Sequence, residues 1–581
     1  MNIQEYDIMN KMIGNVYTNQ RKLAEYSGYS VGKVNSSLKE LMKEKYIDEN
    51  MKLSEKALQE LERKRPQNAI VLAAGYGMRM VPINVEVPKG LLEVQKEPLI
   101  ERIIKQLREV NVEEIDIIVG FMKEQYEYLI DKYHVNLVYN KKYSSRNNLH
   151  SLQCVVDKIR NTYIIPCDIW CKNNPFSKQE WYSWYMVTDQ ESEDSSVRIN
   201  RKKELVNVRK NENGNRMIGI AYVLEEDAQV LNRTIQAYST RKEYNHAFWE
   251  TALFEEEKIR VGAKKVKDTE VFEVNTYEEL RELDEGSNQL KSEVMELISN
   301  VLECDIEDIK NIHSLKKGMT NRSFKFTCKD DSYIMRIPGE GTDKMINRKN
   351  EYRVYQALTG KGITDPVLYI SSDNGYKITR YIPDTRVCNI EDSKDIAACM
   401  LYLKNFHSLN LHVEHTFDIF EQIEFYEKLR NGTPSVYRDY AETKEKMYSL
   451  KEYIDKQPKQ MALTHIDAVC DNFLMTKERI YLIDWEYAGM QDVHVDIAMF
   501  AVYAMYGREK VDELILAYFQ AEPDENVRTK IYCYIAICGF LWSNWCEYKR
   551  MCGVEFGEYS LRQYRFSKEY YKIAKERMKN E

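Results

Sequence analysis

At Asn68 the grammar of this 581-residue chain changes. Short β-rich runs (AIVLAA from Ala69, EIDIIVG from Glu114, NLVYN from Asn136, TYIIPCD from Thr162) begin to alternate with amphipathic stretches such as IERIIKQLREVNV from Ile100. Alternation of this kind restricts the segment to a mostly parallel sheet with helices on both faces. It also cannot describe the whole chain. Residues 1–65 carry helical periodicity with almost no strand signal before Tyr46. After VFEVNTYEELRELDEGSNQL, the stretch Glu285-Gly286-Ser287-Asn288 reads as a linker. Beyond it IHSLKKGMTNRSFKFTC and SYIMRIPG alternate like hairpin strands, and the chain from about Glu391 is largely helical. The length exceeds what one core organises, and the expected domains are 1–65, 66–287 and 288–581.

Within the first segment, TNQRKLAEYSGYSVGKVNSSLKELMKEKYI predicts a helix near Gln20–Tyr26 and a turn at Ser27-Gly28-Tyr29. Ser30 then serves as N-cap to a second helix with Val31, Val34, Leu38 and Leu41 on one face. YIDENMKLS follows as a two-stranded wing. The segment resembles the winged-helix domains of bacterial regulators. That resemblance implies that Ser30, Lys33, Asn35, Ser36 and Lys39 face a groove. Twelve Lys/Arg against ten Asp/Glu in residues 1–65 is a weak electrostatic footprint for DNA. Contact with DNA and contact with protein, including a packing or dimerisation role, therefore both stay open for this segment.

A formal charge of -8 gives no support for a general polyanion-binding surface, so small molecules are the expected partners. MNIQEYDIMN lacks the features of a signal peptide, and IYCYIAICGFLW from Ile531 is too short to span a bilayer. No membrane insertion and a cytoplasmic location are expected. Twelve cysteines without a C-x-x-C pair point to reduced, mostly buried thiols.

In AIVLAAGYGMRM a strand ends at Leu72-Ala73-Ala74, and Gly75 and Gly77 allow a sharp turn that brings backbone N–H groups near phosphate oxygens. Neither the dinucleotide fingerprint nor the P-loop is present. The pattern is A-A-G-x-G-x-R, with Val87-Pro88-Lys89-Gly90 about ten residues on. This combination resembles the nucleotidyltransferases that join an NTP to a phosphorylated small molecule. The resemblance assigns Ala73, Ala74, Gly75 and Gly77 to the nucleotide, and Arg79 and Lys89 to the phosphates, where fixed cations ease attack of one phosphate on another. It assigns metal binding to Asp168, at the end of TYIIPCD, and to Asn275 in Glu273-Val274-Asn275, oxygen donors suited to Mg2+.

Leu91-Leu92-Glu93, Ile100-Glu101-Arg102, Ile118-Val119-Gly120 and Tyr139-Asn140-Lys141-Lys142-Tyr143 narrow the likeness to bacterial CTP:phosphocholine cytidylyltransferases. That family implies CTP and phosphocholine as substrates, with Asn148 and Ser151 at the substrate. A quaternary ammonium wants aromatic faces and an acid, for which Trp249-Glu250 is the expected pair, with Trp181, Trp184 and Tyr185 as further candidates.

The C-terminal segment carries His465-x-Asp467-x-x-x-x-Asn472, and Asp484 twelve residues later at the end of IYLID. This is the spacing of a kinase catalytic loop, in which Asp467 accepts the hydroxyl proton while Asn472 and Asp484 bind Mg2+. Gly318-Met319-Thr320-Asn321 supplies a turn over the phosphates, with Gly318, Thr320 and Asn321 at the nucleotide; Arg336 stands where protein kinases place lysine, with Glu351 as its ion-pair partner. The segment resembles bacterial choline kinases of the aminoglycoside-phosphotransferase-like group, which implies ATP and choline as substrates. Trp542 and Trp545, three apart on one helical face, and Tyr487 then form the expected cage for trimethylammonium.

The expected architecture is multidomain α/β and α+β: a winged helix-turn-helix, a Rossmann-like nucleotidyltransferase domain and a bilobal protein-kinase-like domain. The two enzymatic resemblances imply consecutive steps, from choline to phosphocholine to CDP-choline for a surface glycan or lipid. Two rivals remain at this level. One keeps the reactions but uses ethanolamine or a sugar. The other is a DNA-binding regulator whose enzyme-like domains sense nucleotides.

Overall fold

The computed structural model describes residues 1–14, 19–209, 212–254, 259–315, 321–339, 342–552 and 556–579. It divides into two compact units, Met1–Glu296 and Leu297–Glu581.

The first unit opens with four helices, α1 (Ile3–Gly14), α2 (Gln20–Ser27), α3 (Val31–Lys43) and α4 (Glu55–Arg63). Gly28 ends α2 in the left-handed region at φ 72°, and the Ser30 side chain caps α3 by accepting from Lys33 N. Val34, Leu38 and Leu41 are buried with Ile8, Leu23 and Leu61. Val31, expected on the same face, is 44% exposed; as the first helical residue it precedes the turn that packs. A single antiparallel bridge, Ile47 to Leu53, lies where the wing was expected.

A seven-stranded sheet follows, built from β1 (Asn68–Ala73), β2 (Glu114–Val119), β3 (Asn136–Tyr139), β4 (Thr162–Pro166), β5 (Trp184–Ser192), β6 (Gly214–Val223) and β7 (Gly262–Val266). Its order is β7-β5-β6-β4-β1-β2-β3. β1 runs parallel to both β2 and β4, while β6 is antiparallel to its two neighbours. Alternate β1 side chains enter opposite cores: Ala69, Val71 and Ala73 pack with Ile100, Ile103 and Leu107 of α5 (Leu99–Glu109), and Ile70 and Leu72 with Leu149, Leu231 and Ile235. Helices therefore cover both faces, and the β1 end opens at the sheet's carboxyl edge.

Residues 285–288, read from sequence as a linker, are tied into this unit. Ser287 is buried and donates to Glu93 O, while Glu93 N donates to Gln289 Oε1. Small polar residues suit a linker and a tight hydrogen-bonded return equally, and composition does not separate the two.

The second unit starts with a five-stranded antiparallel sheet of β8 (Ile309–Ser314), β9 (Asn321–Cys328), β10 (Asp331–Pro338), β11 (Val367–Ile370) and β12 (Lys377–Arg380), in the order β8-β9-β10-β12-β11. Helix α6 (Arg348–Leu358) intervenes after β10. A helical region follows, with the short antiparallel pair β13 (Phe473–Met475) and β14 (Ile480–Leu482) and the helices α7 (His494–Tyr503), α8 (Glu525–Met551) and α9 (Glu558–Lys579). α8 is buried almost end to end, the charged side chains of Arg528, Lys530, Glu547 and Lys549 included. Among the described residues no helix is long and apolar enough to cross a membrane, and all twelve cysteines are free.

Candidate active sites

A cavity of about 870 Å3 opens at the carboxyl end of β1. Leu72, Ala74, Gly75 and Gly77 line it. Ala73 does not: it points into the α5 core, since successive strand residues face opposite sides. Gly77 sits at φ 59°, a conformation that an L side chain would strain, and it leads into the turn Met78–Met80 that presents Arg79. Arg79 Nη2 and Lys89 Nζ each donate to Asn275 Oδ1 at 2.7 Å, and Lys89 also pairs with Asp168 Oδ2. These four side chains come from regions up to 196 residues apart. They meet because the strand Ile169–Cys171, which follows Asp168, pairs antiparallel with Val271–Glu273, and Val274 N donates to Asp168 O at 2.9 Å. Among the described residues, Asp168 Oδ1 is buried without a hydrogen-bond partner.

Across the cavity, Asn148 and Ser151 lie on the helix Asn148–Gln153. Asn148 Oδ1 accepts from Trp249 N at 2.8 Å, and Ser151 Oγ from Asn140 Nδ2 at 3.1 Å. Glu250 lines the wall; its Oε1 accepts from Tyr185 OH at 3.1 Å, and Oε2 has no partner among the described residues. Burial pushes the Glu250 carboxyl up to about 7. Trp249 is not a wall. It is 1% exposed and packs in the core beside Tyr185, ring centroids 6.1 Å apart. The rings that line the cavity are Tyr185 and the neighbouring Phe248, which is 59% exposed, together with Phe254 and Tyr143. Of the other candidates, Trp181 is buried and stacks on Tyr6, and Trp184 is buried beneath Lys264. Larger rings fill the core, so the bulkiest aromatic in HAFWETAL was the wrong choice for the wall.

The second unit holds a cavity of about 370 Å3. Two residues on the segments that line it hold left-handed backbone, Ile466 at φ 70° and Asp484 at φ 67°, a cost on the order of 1–3 kcal/mol each that persists only where the surroundings impose it. The imposing group at Ile466 is Asp496, fully buried, which accepts from His465 N at 3.0 Å and Ile466 N at 2.7 Å. Asn472 Nδ2 donates to Asp467 O at 2.8 Å and Oδ2 at 3.1 Å, and Ile483 N donates to Asn472 O at 3.0 Å. Asp467, Asn472 and Asp484 therefore face one cavity. Burial, and next the charges of Asp484 and Glu486, push the Asp467 carboxyl well above the usual range. Arg336 Nη1 lies 2.6 Å from Glu351 Oε1 and 3.3 Å from Asp484 Oδ1. Burial opposes ionisation of Glu351, but the Arg336 guanidinium overrides it and holds the carboxyl low. Asn321 lines the cavity and donates to Glu486 Oε2 at 3.1 Å; Gly318 and Thr320 lie outside the described residues.

The far end of this cavity is aromatic. Tyr487 meets Trp542 edge to face, with ring centroids 5.8 Å apart and planes at 88°, and Trp542 meets Trp545 at 5.6 Å and 87°. Tyr503 and Tyr559, which sequence reasoning missed, line the same space. With 42 tyrosines in the chain, no local signal separates these two from the rest. Glu486 and Lys377 were also missed; both are buried cavity residues, Lys377 brought in from a distant strand and Glu486 standing two residues after Asp484.

Both oxygen sets suit a hard cation such as Mg2+, which binds through one or two protein oxygens and keeps the rest for phosphate and water. The unpartnered Asp168 Oδ1 and the crowding of Asp467, Asp484 and Glu486 are each relieved by positive charge. Among the described residues no group of three His, Cys, Asp or Glu is gathered for a metal, so neither set is a closed all-protein cage.

Residues 312–566 match the family described as choline/ethanolamine kinase, and residues 69–182 the MobA-like NTP transferase domain. The chain is 28% identical over 231 residues to the choline-phosphate cytidylyltransferase of Streptococcus pneumoniae, covering 37% of this chain and 96% of that protein. It is 28% identical over 235 residues to the 2-aminoethylphosphonate cytidylyltransferase of Lancefieldella rimae, covering 38% and 92%. Among solved structures, it is similar to choline kinase LicA from Streptococcus pneumoniae, with 25% identity, 48% of this chain and 98% of that chain covered, and a TM-score of 0.43.

Proposed function

We propose that this protein makes CDP-choline in two steps, with ATP-dependent choline phosphorylation in residues 288–581 and cytidylyl transfer from CTP to phosphocholine in residues 66–287. It is a nucleotidyltransferase and a kinase on one chain, and the regulator reading is not favoured. The observation that carries the proposal is an aromatic box, Tyr487, Trp542 and Trp545, opening on the same cavity as a half-buried carboxylate, Asp467. A cation with a hydroxyl a few ångströms away fits such a space.

In the kinase site Asp467 takes the proton of the choline hydroxyl, whose oxygen attacks the γ-phosphorus of ATP while ADP leaves. Asn472 and Asp484 would hold Mg2+, which supplies charge neutralisation at the phosphates. Arg336, set by Glu351, reaches towards those phosphates, and Asn321 lies at the nucleotide turn. In the other site a phosphocholine oxygen attacks the α-phosphorus of CTP and pyrophosphate leaves. Arg79 and Lys89 counter the charge of two phosphorylated reactants; Gly75 and Gly77 let the backbone approach; Asp168 and Asn275 would hold Mg2+. Asn148, Ser151, Glu250 and the rings of Tyr185 and Phe248 form the acceptor side.

A second acceptor keeps a specific argument. Glu250 is an acid that a primary ammonium satisfies as well as a quaternary one, and one similar protein is named for 2-aminoethylphosphonate. The purified chain incubated with choline, ATP, CTP and Mg2+ is expected to give phosphocholine and CDP-choline by mass. Phosphocholine alone would refute the transfer assignment, and faster turnover of 2-aminoethylphosphonate than of phosphocholine would replace the acceptor. Residues 1–65 are proposed as a winged-helix module. Retardation of duplex DNA at low salt would establish nucleic-acid contact; no retardation leaves protein contact as the reading.

A further inference from the structure

The N-terminal helices are fastened to an element that walls the first cavity. Strands Val197–Ile199 and Leu205–Asn207 form an antiparallel hairpin. At its base Ser196 and Asn207 line the cavity, and Asn207 Nδ2 donates to Phe254 O at 3.1 Å, next to the acceptor-side rings. Its tip carries Arg201 and Lys203, and the tip is gripped by α1. Gln4 Nε2 donates to Arg201 O at 3.2 Å. Lys203 Nζ lies 3.2 Å from Asp7 Oδ2 and 4.2 Å from the Tyr29 ring centroid. Asp7 also accepts from Tyr29 OH at 2.7 Å and Tyr182 OH at 2.8 Å, so one carboxylate joins α1, the α2–α3 turn, the approach to β5 and the hairpin tip.

An isolated two-stranded hairpin of three-residue strands is marginal in water. Here one side of the turn is held by β7, through Leu205 N to Val261 O and Ala263 N to Lys203 O, both 2.8 Å. The other side is held by Ile199 N donating to Asn215 Oδ1 at 3.0 Å and by the Arg198–Glu212 ion pair, and its tip by α1. Beneath these polar contacts the N-terminal helices share a core with Trp181, and Lys64 Nζ donates to Trp181 O at 3.0 Å. They are thus packed on the sheet edge, and their side chains carry load there.

We propose that Asp7 is a positioning residue for the acceptor half of the nucleotidyltransferase cavity, with the N-terminal module acting as a brace that fixes hairpin 197–207 and the wall it forms. The proposal rests on the assignment of that cavity to cytidylyl transfer. It explains why a helical segment precedes the β1 strand: the wall is completed from outside the sheet.

The test compares the full chain with Asp7→Asn, Lys203→Met and the double variant. Amide hydrogen exchange at residues 197–207 is expected to quicken about 3–10-fold in each variant, with β1 and β4 unchanged. KM for phosphocholine is expected to rise about 3–10-fold while KM for CTP and the kinase rate stay within about twofold. The double variant should fall clearly short of the sum of the singles, because both changes remove the shared Lys203–Asp7 pair. Unchanged exchange at the hairpin overturns the brace. Equal rises in both KM values, or additive effects, reduce Asp7 to a general structural role and overturn it too. Failure of the unaltered chain to make CDP-choline would instead sink the functional reading, and the exchange measurement would still decide the brace.

Discussion

The two cavities handle charge in opposite ways. The first places two cations, Arg79 and Lys89, on one neutral amide oxygen, with a single carboxylate, Asp168, beside them. The second gathers Asp467, Asp484 and Glu486, with the buried cations Arg336, Lys377 and Arg348 as counter-charges, and closes its far end with rings. Glu486 is pushed up to about 7 by burial first and Asp484 next. The difference follows from the reactants. A site that brings two phosphorylated molecules together needs fixed positive charge, whereas one that takes a cationic alcohol needs negative charge and π faces, with cations arriving alongside the nucleotide.

The comparison breaks first at its carboxylate end. Asp467→Asn is expected to lower the kinase kcat by about 10²–10⁴-fold while leaving cytidylyl transfer to added phosphocholine intact. Parallel losses in both rates would mean that the variant damages the fold. At the cationic end, Lys89→Met should cut transfer by about 10²–10³-fold with kinase turnover unchanged. A rise in KM for CTP with unaltered kcat would place Lys89 in ground-state binding and away from the transferring phosphate.

Smaller effects sharpen the contrast between the two cation pockets. Trp542→Ala should raise the choline KM by about 2–30-fold, the equivalent of about 0.5–2 kcal/mol, with the KM for ATP unchanged. In the first cavity, Glu250 titrates at about 7 in the ligand-free protein because burial disfavours its charge. Below that pH it is neutral and offers a cation nothing, so the acceptor KM should climb by up to about tenfold per pH unit as pH falls from 7 to 5. Glu250→Gln should flatten that climb; a climb that survives belongs to another group. Stability runs the opposite way. A raised carboxyl pKa contributes stability below the unfolded value that is lost as pH rises through about 7, so Glu250→Gln should be relatively more stable at pH 8. Last, Phe248→Ala should raise the acceptor KM by about 2–5-fold, while Trp249→Phe should lower stability by roughly 1–2 kcal/mol and leave KM alone. The reverse pattern would reinstate Trp249 as the wall.

Motifs confined to one turn or loop were legible in the sequence. The Ala74-Gly75-x-Gly77-x-Arg79 turn, the His465-x-Asp467 to Asn472 spacing and the Trp542/Trp545 pair each encode their geometry within one short stretch, where backbone conformation follows from residue type. Legibility failed where a side chain had two directions to choose from. Trp249 stands one residue before the helix Glu250–Phe254, where no period dictates facing, and the core claimed the larger ring. Ala73 shows another form of the same failure: assigned to the nucleotide from its place in the motif, it is turned by strand alternation into the core and away from the cavity. Tyr503, Tyr559 and Lys377 carried no signal, because ordinary residues become cavity walls only when distant segments meet; Glu486, two residues after Asp484 and next to Tyr487, was legible by position and was overlooked.

By itself the sequence determined where helical, strand-helix and hairpin grammar change along the chain, the glycine turn after β1, the catalytic-loop spacing and the pair of indoles, since each depends on local backbone preference and on chemistry carried within a few residues; that the first two stretches share one compact unit was decided by packing. Only the tertiary structure decided which aromatics line the first cavity, that Lys89 bridges Asp168 and Asn275, that Asp496 imposes the strained backbone at Ile466, and that α1 reaches the hairpin beside that cavity through Asp7. These are relations between groups far apart in the chain. They are fixed by which surfaces must be buried and which polar groups must find partners, and neither condition can be evaluated until the chain has closed on itself.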